Sequence, residues 1–169
     1  MKTDQLAEMA KSHGICDPGL QRILSSKDEE SLLEYYIEGI DFCLENDFPS
    51  KDYLKANGAD LLARYGVFID EAVQLTNQSI CVLLGACRAS IELTEYSVSR
   101  MYIKHKSEAV ITLTGNSFAI IDIFDGSKLN IDASGNSKAV VNVYGDAVAA
   151  IRFKENAQVR EIRKNKVTY

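Results

Sequence analysis

Apolar and polar residues alternate with a period of two along the second half of the chain. Written in rows of ten from Gly85, consecutive rows show the same columns. From the third row onward the seventh and ninth positions are mostly apolar, and the position between them is polar or charged. The seventh-position residues are Ile111, Ile121, Ile131, Val141 and Ile151. This alternation predicts β-strands with one buried face, and because the row length is even the same columns stay buried.

Turn-forming residues begin most of these rows, as in Gly115-Asn116, Asp125-Gly126 and Gly135-Asn136. Gly, Asn and Asp tolerate the positive φ that a sharp corner requires. A two-residue hairpin turn would leave strands of even length, whose ends face opposite sides, so the buried columns would change face at each turn. A parallel β-solenoid keeps them on one face. An antiparallel β-meander of ten-residue strands with bulged loops also does so, and is the alternative.

Comparison at a spacing of two rows favours the solenoid. Rows 115–124 and 135–144 resemble each other more than either resembles the row between them. We therefore predict coils of two strands and about twenty residues, about four coils in all. Solenoid ends expose unpaired strand edges, so a cap is expected at the N-terminal end. Glu161 and Arg163 occupy positions that should be buried, and these charges either protect the last edge or meet a partner.

Residues 1–66 show the apolar spacing of α-helices instead of strands. The spacing and the capping residues predict helices from about Thr3 to Ser12, Asp17 to Ser26, Asp28 to Glu45 and Ser50 to Arg64. The predicted fold class is therefore α+β. Its parts are an acidic helical head over 1–66, a connector with the first strands over 67–84, and the decapeptide-repeat β-solenoid over 85–169.

Charge is distributed unevenly along the chain. Residues 1–80 carry 15 acidic and 7 basic side chains, whereas residues 81–169 carry 9 acidic and 12 basic ones. An acidic helical head does not suit DNA reading, which needs Lys or Arg to hold phosphates. Nucleic acid is therefore the lowest-ranked partner. No apolar run approaches the roughly 20 residues that span a bilayer, and no signal peptide is evident, so we predict a cytoplasmic protein with no membrane partner.

Residues suited to catalysis or metal binding do not form a recognisable set. His13 and Cys16 supply two of the about four ligands that a zinc site needs. Asp122 and Asp132 share a column and are predicted to face outward on different sides of the coil, so they cannot flank one glycosidic bond. The four cysteines lack a metal or disulfide spacing. We predict no catalytic residue, no cofactor and no metal, and hence no enzyme.

An outward-facing apolar stripe is the candidate interface. Phe124 and Tyr144 lie twenty residues apart and are expected to stack on successive coils. Exposed apolar columns indicate a contact face, unless the helical head packs over them. The predicted interface residues are Phe118, Ile120, Phe124, Val140 and Tyr144. We predict a structural or interaction protein that forms a homo-oligomer through this stripe, with an aromatic platform for sugar as a lesser reading.

Three short segments of the chain carry a resemblance to a known group. They are Gly39-Ile40-Asp41-Phe42-Cys43, Asn46-Asp47-Phe48-Pro49-Ser50 and Tyr65-Gly66-Val67-Phe68. Together with the decapeptides, this chain resembles uncharacterised prophage and mobile-element proteins of gut Bacteroidetes. The resemblance implies a phage or mobile-element context, with a virion-associated location as the alternative, and implies no catalytic residues. A host-directed inhibitor acting through the acidic head is the second functional hypothesis, and a polysaccharide-active β-helix enzyme is the third.

Overall fold

A computed structural model describes residues 3–169, apart from the side chain of Ala59. The chain divides into a helical unit that ends at Tyr65 and a strand unit over Gly66–Thr168. The strand unit therefore includes the whole of the predicted connector over 67–84, and the strands of that segment belong to the same sheets as the later ones.

Over residues 3–65 the helical unit contains five short helices, and two of them begin at a side-chain cap. Asp28 accepts a hydrogen bond from the Ser31 N–H at 2.8 Å, and Ser50 accepts one from Tyr53 at 3.2 Å. The single helix predicted from Asp28 to Glu45 is wrong, because the helix is interrupted at Gly39, whose backbone angles of φ −99° and ψ 27° are not helical. The helices are α1 (Thr3–Ser12), α2 (Asp17–Ser25), α3 (Glu29–Glu38), α4 (Ile40–Asn46) and α5 (Lys51–Leu62), followed by a 3-10 turn (Ala63–Tyr65).

The strand unit consists of two parallel sheets that the chain visits alternately. One sheet has six strands in the order β1-β3-β5-β7-β9-β11, and the other has five in the order β10-β8-β6-β4-β2. The strands are β1 (Val67–Ile69), β2 (Ala72–Thr76), β3 (Ile80–Leu84), β4 (Arg88–Leu93), β5 (Val98–Ile103), β6 (Glu108–Leu113), β7 (Phe118–Ile123), β8 (Lys128–Ala133), β9 (Lys138–Val143), β10 (Val148–Phe153) and β11 (Gln158–Arg163). The parallel β-solenoid is confirmed, and the antiparallel meander is excluded.

Register is regular except in the first coil. Phe118 pairs with Lys138 and Ile111 with Ile131, each across a step of one full coil. The first coil is shorter, since Val67 pairs with Val82. The solenoid has about five turns rather than the predicted four, because this short coil does not follow the ten-residue rows from which the prediction was made.

The solenoid core is filled by the inward columns of both sheets. Ile121 and Ile131 are fully buried, as the alternation predicts. The corners are closed by small residues and by a hydrogen-bonded ladder in which Asn136 donates to Asn116 at 3.3 Å and Asn156 donates to Asn136 at 3.2 Å. Gly115 has φ 66°, and a Cβ there would lie 2.9 Å from the Glu95 nitrogen, so this corner requires glycine.

Charged side chains replace the apolar columns in the last strand, β11. Glu161 and Arg163 are exposed, and their charged groups lie 3.6 Å apart. Inward-pointing charges on an edge strand disfavour pairing with another strand. This arrangement supports edge protection as the role of the two residues.

Candidate functional site

Phe118, Ile120 and Val140 lie on the outer side of the six-stranded sheet, and Phe124 and Tyr144 directly follow its strands β7 and β9. Phe124 is 0% exposed and Tyr144 is 5% exposed, so their predicted exposure is wrong. Their rings stack with centroids 4.6 Å apart and planes at 20°, because residues at equivalent positions of successive coils come into register. Phe118, Ile120 and Val140 are partly buried. Only these three members of the stripe offer any surface to a partner.

Asp122 is also buried, contrary to the predicted outward-facing, solvated acid. Its side chain is 2% exposed, accepts a hydrogen bond from Asn142 Nδ2 at 2.5 Å and lies 3.5 Å from the Arg100 guanidinium. A buried carboxylate is tolerated when it is paired and hydrogen-bonded in this way. Asp122 therefore belongs to the packing of the six-stranded sheet.

Asp132 occupies the equivalent position on the five-stranded sheet and is accessible. The Arg152 guanidinium donates to both of its carboxylate oxygens, at 2.7 and 2.9 Å. This bidentate hydrogen bond lowers the pKa of Asp132. Asp122 and Asp132 lie in different sheets, as predicted, so the structure does not bring them together as a carboxylate pair.

The outer side of the five-stranded sheet presents exposed or partly buried side chains, which are placed by strand register. Each strand presents three outward residues, and we call these positions together the five-stranded face. The first column contains Ala72, Arg88, Glu108, Lys128 and Val148. The central column contains Gln74, Ser90, Val110, Asn130 and Ala150. The third column contains Thr76, Glu92, Thr112, Asp132 and Arg152.

Charge on the five-stranded face follows a pattern that sequence reasoning missed. On both β4 and β8 the first outward residue is basic and the third is acidic, as in Arg88 and Glu92. The central column is uncharged throughout, and its Val110 is 47% exposed. Lys128 also pairs with Glu108 of the neighbouring strand at 3.1 Å. The sequence contained this signal, because in each of these two strands a basic residue is followed four positions later by an acidic one.

Reactive groups elsewhere do not converge. Among residues 3–169, no group of three His, Cys, Asp or Glu residues is placed to hold a metal ion. The His13 ring lies against Phe48, with ring centroids 5.6 Å apart, and does not form a ligand set with Cys16. Burial raises the pKa of the Cys43 and Cys81 thiols to about 12, so both stay protonated at neutral pH and are poor nucleophiles.

No helix within residues 3–169 has both the length and the apolar character that crossing a membrane requires. No protein-family model matches the chain. Comparison with curated proteins and with solved structures likewise gives no significant match. The resemblance to mobile-element proteins of gut Bacteroidetes therefore stays a prediction.

Proposed function

We propose that this protein is a non-enzymatic interaction protein that associates with a second copy of itself through the five-stranded face. One observation carries the proposal: the charges on this face are complementary to themselves under one particular two-fold axis. The sequence also predicts self-association, but through the stripe that contains Phe124 and Tyr144. Because these two residues are buried, we assign the contact to the five-stranded face instead.

The axis lies in the plane midway between the two facing sheets and is perpendicular to their strands. It places each strand antiparallel over its own copy, so a first-column residue lies over the third-column residue of the same strand. Arg88 then faces the second copy's Glu92, and Lys128 faces the second copy's Asp132, each twice per dimer. Glu108 faces Thr112 and Arg152 faces Val148, so no like charges are opposed.

The central column meets itself in this arrangement. A charged residue there would face an identical charge across the axis, and the column contains none. Val110, at the centre of the face, would contact the Val110 of the second copy. An axis parallel to the strands gives the opposite result, because it places Arg88 over Lys128 and Glu108 over Glu108, which is repulsive.

The size of the face indicates a reversible dimer. Three outward residues on each of five strands fall below the roughly 20 to 30 residues that each partner contributes to a standard interface. Polarity is no obstacle, since interfaces between separately folded proteins are about as polar as the rest of the surface. We therefore expect association in the micromolar range that weakens as salt concentration rises.

Light scattering on the chromatographically separated protein, over a hundredfold range of concentration, tests the proposal. The wild type should approach twice the monomer mass, and Arg88→Glu should stay monomeric because it sets Glu against Glu92 twice. Arg160→Glu is the matched control, since Arg160 is an exposed outward cation on the six-stranded sheet. A wild type that is monomeric throughout, or an Arg160→Glu variant that dissociates equally, would contradict the proposed face.

A second candidate surface remains on the six-stranded sheet. Val98 is 63% exposed and pairs with Phe118, beside Ile120 and Val140. It ranks second because the central column of this sheet contains Arg100 and Arg160, which would face themselves across the corresponding axis. Loss of the dimer in Phe118→Ser with retention in Arg88→Glu would reverse the ranking.

A further inference from the structure

The helical unit contains an apolar cavity of about 470 Å³ that is partly open to solvent. Residues from all five helices and from the loops between them line it. Prominent among them are the aliphatic and aromatic side chains of Ile15, Ile23, Leu33, Phe42 and Leu54. The cavity lies within a single compact unit, so its walls are set by the packing of these helices alone.

Polar groups in the lining are few and carry no net charge. Burial raises the pKa of the Tyr36 hydroxyl well above its ordinary value, so this group is neutral at physiological pH. Arg22 is paired with Glu38, and its guanidinium lies 5.2 Å from the centre of the Tyr35 ring. The two charged side chains of the lining are thus paired with each other, so the lining offers no unpaired charge to a charged ligand.

The volume of the cavity suits a small molecule. Small-molecule pockets range over about 300 to 1,000 Å³, and the cavity falls within that range. Apolar side chains that line an open cavity stay in contact with water until a ligand covers them, which favours binding of an apolar ligand.

We propose that the helical unit binds an uncharged, largely apolar small molecule in this cavity. The proposal is independent of self-association, because the lining belongs to the helical unit and the proposed dimer face belongs to the strand unit.

Fluorescence titration of the full chain with N-phenyl-1-naphthylamine, an uncharged apolar fluorophore, tests this inference. We expect saturable binding at one site per chain, with a blue shift as the probe leaves water. The anionic relative 8-anilinonaphthalene-1-sulfonate should bind at least tenfold more weakly. Absence of saturation with the uncharged probe, or equal binding of the anionic one, would overturn the proposal.

Two variants locate the site. Ile23→Phe replaces an aliphatic side chain of the lining by a larger aromatic ring, which fills part of the cavity. It should weaken binding of the uncharged probe at least tenfold. Gly58→Ala adds one methyl group to the lining, in ordinary contact 3.4 Å from Leu62 Cδ2. It should weaken binding a few-fold while keeping the helix folded, since alanine favours helix more than glycine does.

Leu61→Phe is the matched control, because Leu61 lies on the same helix as Gly58 and is partly buried but does not line the cavity. It should bind the probe as the wild type does, and so should Arg88→Glu on the five-stranded face. If circular dichroism shows that Ile23→Phe is unfolded, Gly58→Ala decides. Wild-type affinity in Gly58→Ala would then place the probe elsewhere and overturn the proposal.

Discussion

The two sheets of the solenoid share an inner side and differ on the outer one. Ile121 in the six-stranded sheet and Ile131 in the five-stranded sheet are both buried in one core. One position further along, Asp122 is buried, whereas Asp132 is accessible. The ten-residue pattern thus constrains the inward columns, because these have to fill a common core. The outward columns are free to differ, and they do differ between the two faces.

The difference also separates stability from recognition. On the six-stranded side, Phe124, Tyr144 and Asp122 are buried, stacked or hydrogen-bonded, so they contribute to the free energy of folding. On the five-stranded side, the outward charges are solvated and pair at the surface, where ion pairs contribute little to stability. We therefore expect substitutions on the first face to change unfolding and substitutions on the second to change association.

The largest expected effect is at Phe124. Phe124→Ala should lower the free energy of unfolding by about 3 to 5 kcal/mol, because it removes a fully buried ring that stacks on Tyr144. Val148→Ala on the five-stranded face should cost less than about 1 kcal/mol, since burial at that position is incomplete. Urea unfolding of the two variants, at a concentration where the wild type is monomeric, checks the contrast. Equal losses of stability in the two variants would mean that Phe124 is exposed, as the sequence pattern predicts, and not buried.

An intermediate effect is expected at Asp122. Asp122→Ala should destabilise the fold by about 1 to 3 kcal/mol, because Asn142 loses a hydrogen-bond acceptor beside a buried site and Arg100 loses its ion-pair partner. Asp132→Ala should have a much smaller effect on thermal unfolding, since Asp132 and Arg152 are both accessible. A larger loss for Asp132→Ala than for Asp122→Ala would contradict the distinction between the two faces.

The smallest expected effect is the pH dependence of the Asp132–Arg152 pair. The hydrogen bonds from Arg152 lower the pKa of Asp132 below its ordinary value of 3.8. The pair therefore stabilises the folded state above that pH, and its contribution is lost as the pH falls through the lowered pKa. Carboxyl NMR titration should show the Asp132 pKa returning toward 3.8 in Arg152→Gln. An unchanged pKa in that variant would mean that Arg152 does not hold the carboxylate in solution.

Period-two alternation predicted the direction of each side chain, which is why the parallel solenoid and its inward columns follow from the sequence. It did not predict the burial of Asp122 and Phe124, because direction alone does not say what packs against an outer face. The break at Gly39 was missed for a related reason, since the apolar spacing continues through it from Tyr36 to Ile40. The charge symmetry of the five-stranded face becomes visible only when the register of all five strands is known. It pairs the first column of the face with the third, whereas the sequence analysis compared residues only within a single column.

The most direct test of the proposed dimer is the mass of the charge-swapped variant, Arg88→Glu combined with Glu92→Arg. The two-fold axis sets position 88 of one copy against position 92 of the other, so the swap restores the opposite charges that Arg88→Glu removes. Light scattering should therefore find Arg88→Glu monomeric and the double variant dimeric again, with the salt dependence of the wild type. A double variant that stays monomeric while the wild type is dimeric would contradict the assigned contact.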